Sequence, residues 1–138
     1  MNFQNYFKNK TALITGSGRG IGLEITKEYL KNGAKVIAID LNTKRLSSLK
    51  NKYKTQILVE KLDLSNLDNF KNFLKKLPKK FKNVNILINN AGMKSSKNLV
   101  ETDINNLNNL INFNSIKVIE ISRILINFSL KKNKGKII

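Results

Sequence analysis

A run of closely spaced glycines at positions 15–22, Thr-Gly-Ser-Gly-Arg-Gly-Ile-Gly, constrains the fold of this chain more than any other feature. It follows the apolar segment 12–14, and Ile21, Ile25 and Tyr29 then recur at the spacing of a helix. A glycine-rich turn between a buried strand and a helix presents backbone N–H groups to a phosphate. We therefore predict a dinucleotide site here, with an ordinary glycine turn as the alternative.

Each glycine of the turn has a separate physical role in this prediction. Gly16 permits a tight turn after the strand, Gly20 lets the backbone approach a pyrophosphate, and Gly22 lets the helix pack closely on the strand. The predicted cofactor-binding residues of this turn are Gly16, Ser17, Gly18, Arg19, Gly20, Ile21 and Gly22.

Predicted strands and helices alternate along the whole chain, which we interpret as one domain over residues 1–138. The predicted strands are 11–15, 35–39, 56–60, 84–88 and 135–138. The predicted helices are 21–30, 43–53, 67–81 and 103–130, and Pro78 is expected to break the third of them near its end. The last helix is apolar around more than one face, which favours contact with both a sheet and a partner helix. Short strand–helix alternation predicts right-handed crossovers and a parallel sheet covered on both faces.

The polar motifs all follow predicted strands, at the end where ligands bind in such sheets. Asp40, with Leu41 beside it, ends the second strand; Asp63 and Leu64 follow the third; and residues 89–92 follow the fourth. A carboxylate at position 40 can accept hydrogen bonds from both hydroxyls of an adenosine ribose and repels a 2′-phosphate, which favours NAD. Three nearby cations leave NADP open as the alternative: Arg19, Lys44 and Arg45.

Two motifs together, Thr15-Gly-x-x-x-Gly-Ile-Gly22 and Asn89-Asn-Ala-Gly92, resemble those of the short-chain dehydrogenase/reductase family. The resemblance covers essentially the whole chain. It implies an α/β fold with a Rossmann-type doubly wound parallel sheet, incomplete at the fifth strand. It also implies reversible hydride transfer between NAD(P) and a small-molecule carbonyl or secondary alcohol.

Several site residues are implied by this resemblance. Asp63 and Leu64 look like the pair that contacts the adenine ring. Asn90, Ala91 and Gly92 look like the segment beside the adenosine ribose. Asn114 resembles the asparagine of the family's catalytic tetrad, which holds a proton-relay water. No metal site is implied.

The rest of the family's catalytic machinery is not found in these 138 residues. The family's serine is expected about four residues beyond Ile138, and its Tyr-x-x-x-Lys pair further on. Tyr6 and Lys10 have that spacing but precede the first strand, so we interpret them as a coincidence. We expect the chain to be the N-terminal part of such an enzyme, truncated and inactive alone. The alternative is a non-enzymatic dinucleotide-binding module or degenerate gene product.

Composition excludes several other kinds of site. The chain has no Cys and no His, so disulfides, thiolate metal sites and a Ser-His-Asp triad are excluded. The net charge of +17 comes from 23 Lys and 3 Arg against nine acidic residues. The excess of Lys, together with 22 Asn, suggests AT-rich codons. We therefore predict no specific nucleic-acid partner, although the charge attracts polyanions at low salt.

No secretory leader or membrane-spanning stretch is recognisable, because the most apolar segment, 118–130, contains Glu120, Arg123 and Asn127. We expect a cytoplasmic protein without a membrane partner. We also expect a homo-oligomer in the full-length form.

Overall fold

Five parallel strands form one sheet in the order β3-β2-β1-β4-β5. The structure is a computed structural model that describes residues 7–95, 97–98 and 100–138; Tyr6, with its predicted coincidental motif, lies outside them. The strands are β1 Thr11–Thr15, β2 Lys35–Asp40, β3 Ile57–Lys61, β4 Ile86–Ile88 and β5 Lys136–Ile137. The predicted parallel sheet is confirmed, with β3, β4 and β5 each starting one or two residues later than predicted.

Both faces of the sheet are covered, because successive residues of the buried strands point to opposite sides. In β1, Leu13 belongs to one apolar core, while Ala12 and Ile14 belong to the other. These β1 side chains are fully buried, as expected for a parallel sheet packed on two sides. The doubly wound arrangement predicted from the alternation is therefore confirmed.

The helices divide between these two cores. They are α1 Gly20–Lys31, α2 Ser47–Tyr53, α3 Leu67–Lys76, α4 Ile104–Ile111 and α5 Val118–Leu125, with short 3₁₀ turns at Lys44–Leu46, Lys54–Gln56 and Lys79–Phe81. Helices α1 and α2 supply Leu23, Leu30 and Leu49 to one core. Helices α3 and α5 contribute to the other core. The helices therefore change from one face of the sheet to the other where β1 and β4 lie side by side. Ligands bind at such a switch point in doubly wound sheets.

One predicted helix is shorter than expected. Asn66 starts α3 as its N-cap, accepting from the backbone N–H groups of Asp68 and Asn69 at 3.1 and 3.2 Å. The helix ends at Lys76, because the residue before Pro78 is extended. The prediction that Phe81 belongs to this helix is therefore wrong. Phe81 is 1% exposed and reaches the core from the 3₁₀ turn that follows.

The predicted helix over 103–130 is continuous but not uniformly α-helical. Its Asn112–Lys117 and Ile126–Leu130 segments are π-helical. A π-helical turn accommodates an additional residue, which shifts the phase of the side chains that follow. A period of 3.6 residues therefore describes α4 and α5 separately but not the joint between them.

Candidate cofactor site

The glycine turn lies at the carboxyl end of β1, where the chain changes from one face of the sheet to the other. Gly16 and Gly20 have positive φ angles of 64° and 51°, a conformation that disfavours side chains. A Cβ atom at Gly20 would meet nothing within 4 Å. The first turn of α1 therefore faces open space with uncapped backbone N–H groups, since Arg19 makes no side-chain cap. This cradle fits a pyrophosphate.

Gly22 serves the packing role predicted for it. A Cβ atom there would overlap the carbonyl oxygen of Gly16 and the side-chain nitrogen of Asn90. A Cβ atom at Gly16 would lie 2.8 Å from the same Asn90 nitrogen and from the Cα of Ala91. The absence of side chains at these two glycines lets the turn, α1 and the segment after β4 come together.

Thr15 and Asn90 join the ends of β1 and β4. The Thr15 hydroxyl donates to the carbonyl of Ile88 at 3.2 Å and accepts from the backbone N–H groups of Asn90 and Ala91, both at 3.0 Å. The Asn90 amide nitrogen donates to the carbonyls of Thr15 and Gly16, at 3.1 and 2.9 Å. We call these contacts the Thr15–Asn90 clamp. Thr15 belongs to the glycine motif but was not predicted as a site residue. A hydroxyl side chain at the end of a buried strand is the sequence feature that could have identified it.

Asp40 is fixed at the edge of the same turn. Its carboxylate accepts from the backbone N–H of Gly18 at 2.7 Å and from that of Asn42 at 2.9 Å. A Cβ atom at Gly18 would overlap the carbonyl oxygen of Asn42, so the two loops touch closely. The negative charge predicted beside the adenosine ribose therefore has a defined position. Leu41 beside it is 59% exposed.

The other predicted nucleotide contacts also lie at carboxyl ends of strands. Asp63 is exposed after β3, and its carboxylate accepts from the backbone N–H of Ser65 at 2.8 Å. The Leu64 side chain is 5% exposed and packs in the core. Only the backbone of Leu64 is therefore available to an adenine ring. Ala91 is partly buried and Gly92 is exposed.

Asn114 lies in the π-helical segment and faces the loop after β4. Its Oδ1 accepts from the backbone N–H of Met93 and its Nδ2 donates to the carbonyl of the same residue, both at 2.8 Å. This pair of bonds ties the long helix to the loop that continues from Gly92. The contact with Met93 was not foreseen, because nothing in the sequence marks its backbone as a partner.

A second polar contact lies beside the groove between β5 and α5. Asn89 donates from Nδ2 to the hydroxyl of Ser122 at 3.2 Å, and that hydroxyl donates to the carbonyl of Val118 at 2.8 Å. Asn89 Oδ1 is buried without a partner among the described residues. The groove is lined mainly by Val118, Ile119, Ile126, Ile137 and Ile138.

Two kinds of feature are not found in the part of the chain that the structure describes. No group of three acidic side chains is placed to hold a metal ion. None of the helices there has the length and apolar character needed to cross a bilayer.

Comparison with known proteins agrees with this geometry. A family model described as short chain dehydrogenase matches residues 10–138. An NADP-dependent 3-hydroxy acid dehydrogenase of Schizosaccharomyces pombe is 34% identical, over 94% of this chain and 52% of its own length. A 3beta-hydroxysteroid dehydrogenase 2 of Eggerthella lenta is 31% identical, over 94% of this chain and 51% of its own.

A solved structure is similar in fold as well. The closed form of a serine dehydrogenase complexed with NADP+ superimposes with a TM-score of 0.82 at 27% identity, covering 92% of this chain and 52% of that one. The chain thus spans about half the length of the relatives that it matches. The match over residues 10–138 shows that this chain belongs to the short-chain dehydrogenase family of oxidoreductases.

Proposed function

We propose that this chain holds the dinucleotide of an NAD(P)-dependent oxidoreductase that acts on a carbonyl or secondary alcohol of a small molecule. The observation that carries the proposal is the open first turn of α1 at Gly20, held in place by the Thr15–Asn90 clamp. The nicotinamide, when bound, would supply the hydride chemistry. The chain's own part is to bind and orient the dinucleotide.

The proposed contacts follow the order of the strands in the sheet. The backbone N–H groups at Gly20 and Ile21 would bind the pyrophosphate, and Asp40 the adenosine ribose. Asp63 and the backbone of Leu64 would lie beside the adenine. The segment 90–92 would lie beside the adenosine ribose and hold the glycine turn in place. The distance between β3 and β4, three strand spacings of about 4.8 Å each, suits an extended dinucleotide.

We propose that NAD is preferred over NADP. The Asp40 carboxylate is held by the backbone N–H groups of Gly18 and Asn42, so it cannot turn away from a 2′-phosphate without losing both bonds. The S. pombe relative is named as NADP-dependent, and three exposed cations would favour NADP here: Arg19, Lys44 and Arg45. Titration with NADH and NADPH should give at least about tenfold tighter binding of NADH.

The test of this preference uses two variants. Asp40→Asn removes the charge and should bring the two dissociation constants close together. Arg45→Gln removes a cation and should leave NADH binding unchanged. Tighter binding of NADPH by the unaltered chain would refute the preference for NAD. Failure to bind either nucleotide at millimolar concentration would refute the proposed function itself.

We propose for Asn114 a positioning role in catalysis. Its amide holds the backbone of Met93 in a two-bond pair, which fixes the loop that continues from Gly92. The proton-relay water implied by the family resemblance would depend on this fixed geometry. In a full-length enzyme, Asn114→Ala should lower kcat more than it raises KM for the nucleotide, and Asn114→Asp should not restore the pair because it lacks the donor.

A second candidate is a binding module without turnover. The Tyr-x-x-x-Lys spacing occurs in these 138 residues only at Tyr6 and Lys10, ahead of β1. The 138-residue chain should therefore bind NADH without oxidising it in the presence of carbonyl compounds. Turnover above the rate without protein would show that another group on this chain donates the proton.

We also propose that two copies associate through the long helix. Four exposed isoleucines, Ile104, Ile111, Ile119 and Ile126, are spaced by seven, eight and seven residues, and the longer step crosses the π-helical segment. The additional residue keeps them on one face, about 33 Å long. Ile119→Lys should shift the protein to monomers in light scattering, whereas Ile21→Lys, at another exposed position, should not. The cytoplasmic location stays a prediction.

A further inference from the structure

A lysine stands at or within four residues before the start of every strand. In the spatial order of the sheet these residues are Lys54, Lys35, Lys10, Lys82 and Lys136. Neighbouring strands are about 4.8 Å apart, so the five strand starts that these lysines precede or occupy span about 20 Å. We call these five lysines the strand-start row. It lies at the end of the sheet opposite the glycine turn.

No ion pair among the described residues neutralises the charges of this row. The ion pairs among the described residues join Lys27 to Glu24, Lys71 to Asp68, Lys97 to Asp103 and Lys117 to Glu120, and none of them includes the row. Four of its lysines are exposed; Lys35 is half-buried and donates to the carbonyl of Lys80 at 2.6 Å. The flanking segments 75–82 and 131–136 contain further lysines and no acidic residue.

Helix dipoles explain some of the lysines at this end, including Lys54 of the row, which is the C-cap of α2, but not the other four members. Lys31, Lys75 and Lys76 lie in the last turns of α1 and α3, where a cation stabilises the carboxyl end of a helix. A strand start has no comparable dipole. AT-rich codons explain how many lysines the chain has, whereas the row is distinguished by lying along one end of the sheet without a carboxylate partner among the described residues.

We propose that the strand-start row binds the phosphate backbone of a double-stranded nucleic acid, without reading its sequence. A length of about 20 Å corresponds to about six base pairs of duplex. Lysine suits this contact because its ammonium group binds phosphate as a point charge. Phosphate contacts carry no sequence information, so the proposal is compatible with the expected absence of a specific nucleic-acid partner.

The surroundings of the row favour a duplex over other polyanions. The described loops that lead into β1 to β4 contain no exposed large apolar side chain that would enter a bilayer. Phe81 beside the row is buried and cannot stack on the bases of a single strand.

The two proposed sites lie at opposite ends of the sheet and should be independent. A strand of five residues such as β1 separates them by about 17 Å. The duplex should therefore bind equally well in the presence of saturating NADH. Competition between the two ligands would place the duplex at the glycine turn and overturn the proposal.

The experiment measures fluorescence anisotropy of a labelled 20-base-pair duplex between 50 and 200 mM salt. Five phosphate contacts predict a loss of affinity of about 500-fold over this range. Replacing Lys10, Lys82 and Lys136 together by Gln leaves two contacts and a loss of about 12-fold. The control replaces Lys44, Lys61 and Lys94 by Gln, which removes the same charge from exposed positions elsewhere. It should keep nearly the 500-fold loss.

Thermal melting of all three proteins establishes that the variants are folded. Equal loss of affinity in the row and control variants would show attraction by net charge alone and overturn the proposal. Tighter binding to vesicles containing anionic phospholipid than to the duplex, reduced by the same row variant, would overturn it in favour of a membrane surface. Absence of duplex binding at 50 mM salt would also refute it.

Discussion

The buried hydroxyl of Thr15 offers the sharpest test of how the site is held together. Thr15→Val keeps the shape of the side chain but removes three hydrogen bonds, to Ile88, Asn90 and Ala91, at 3.0 to 3.2 Å. Thr15 is 2% exposed. A buried polar group left without a partner costs about 1–3 kcal/mol. Three groups lose their partner, but water can reach part of the segment and satisfy some of them. We therefore expect a total loss of about 3 kcal/mol in the free energy of unfolding.

Thr26→Val is the matched control. Thr26 is also fully buried, but its hydroxyl makes one bond, to the Gly22 carbonyl within α1, at 2.8 Å. We expect a loss of about 1 kcal/mol or less. With a urea m-value of about 1.5 kcal/mol/M, the midpoint should fall by about 2 M for Thr15→Val and by about 0.7 M or less for Thr26→Val. Equal shifts in the two variants would refute the clamp as the link between β1 and β4.

Three further predictions concern the turn, a helix start and a partly buried phenol. Gly22→Ala should lower both the melting temperature and the affinity for NADH, because its Cβ would overlap the backbone of Gly16. Gly20→Ala should abolish NADH binding, because its Cβ would occupy the open space proposed for the pyrophosphate. Its positive φ should cost only about 1–2 kcal/mol of stability. The hydrogen bond from the backbone N–H of Asn106 lowers the pKa of Asp103, so the stability that Asp103 contributes should be lost as pH falls below about 4. Asp103→Ala should abolish this pH dependence and speed amide hydrogen exchange at Asn106. Burial raises the pKa of Tyr29, so stability should fall as pH rises above about 10, and less steeply for Tyr29→Phe in alkaline denaturation.

The sequence predicted the order and type of the main elements because these depend on local patterns. Buried β-branched strands, a helical apolar face and the φ of Gly33, observed at +86°, follow from short stretches of chain. The lengths of the elements were less accurate. β4 begins at Ile86 although Val84 is also fully buried, because strand assignment depends on pairing with β1 rather than on burial.

The contacts that give the site its shape were beyond a sequence argument. The spacing of Asn114 suggested a site residue, but its two bonds to Met93 depend on how the π-helical segment orients it. Asp40 was assigned to a ribose, and its bonds to the backbone of Gly18 and Asn42 were not foreseen. Such partners are set by the tertiary approach of loops, which no periodicity records.

These bonds couple the choice of nucleotide to the geometry of the glycine turn. The carboxylate that would repel a 2′-phosphate also accepts the backbone N–H of Gly18, two residues before Gly20. A variant that removes the charge and both acceptors, such as Asp40→Ala, leaves the turn without this support and should weaken both NADH and NADPH. Asp40→Asn keeps one acceptor oxygen and should retain more of the common affinity. A change of cofactor preference in this chain therefore requires replacing a hydrogen-bond acceptor as well as removing a charge.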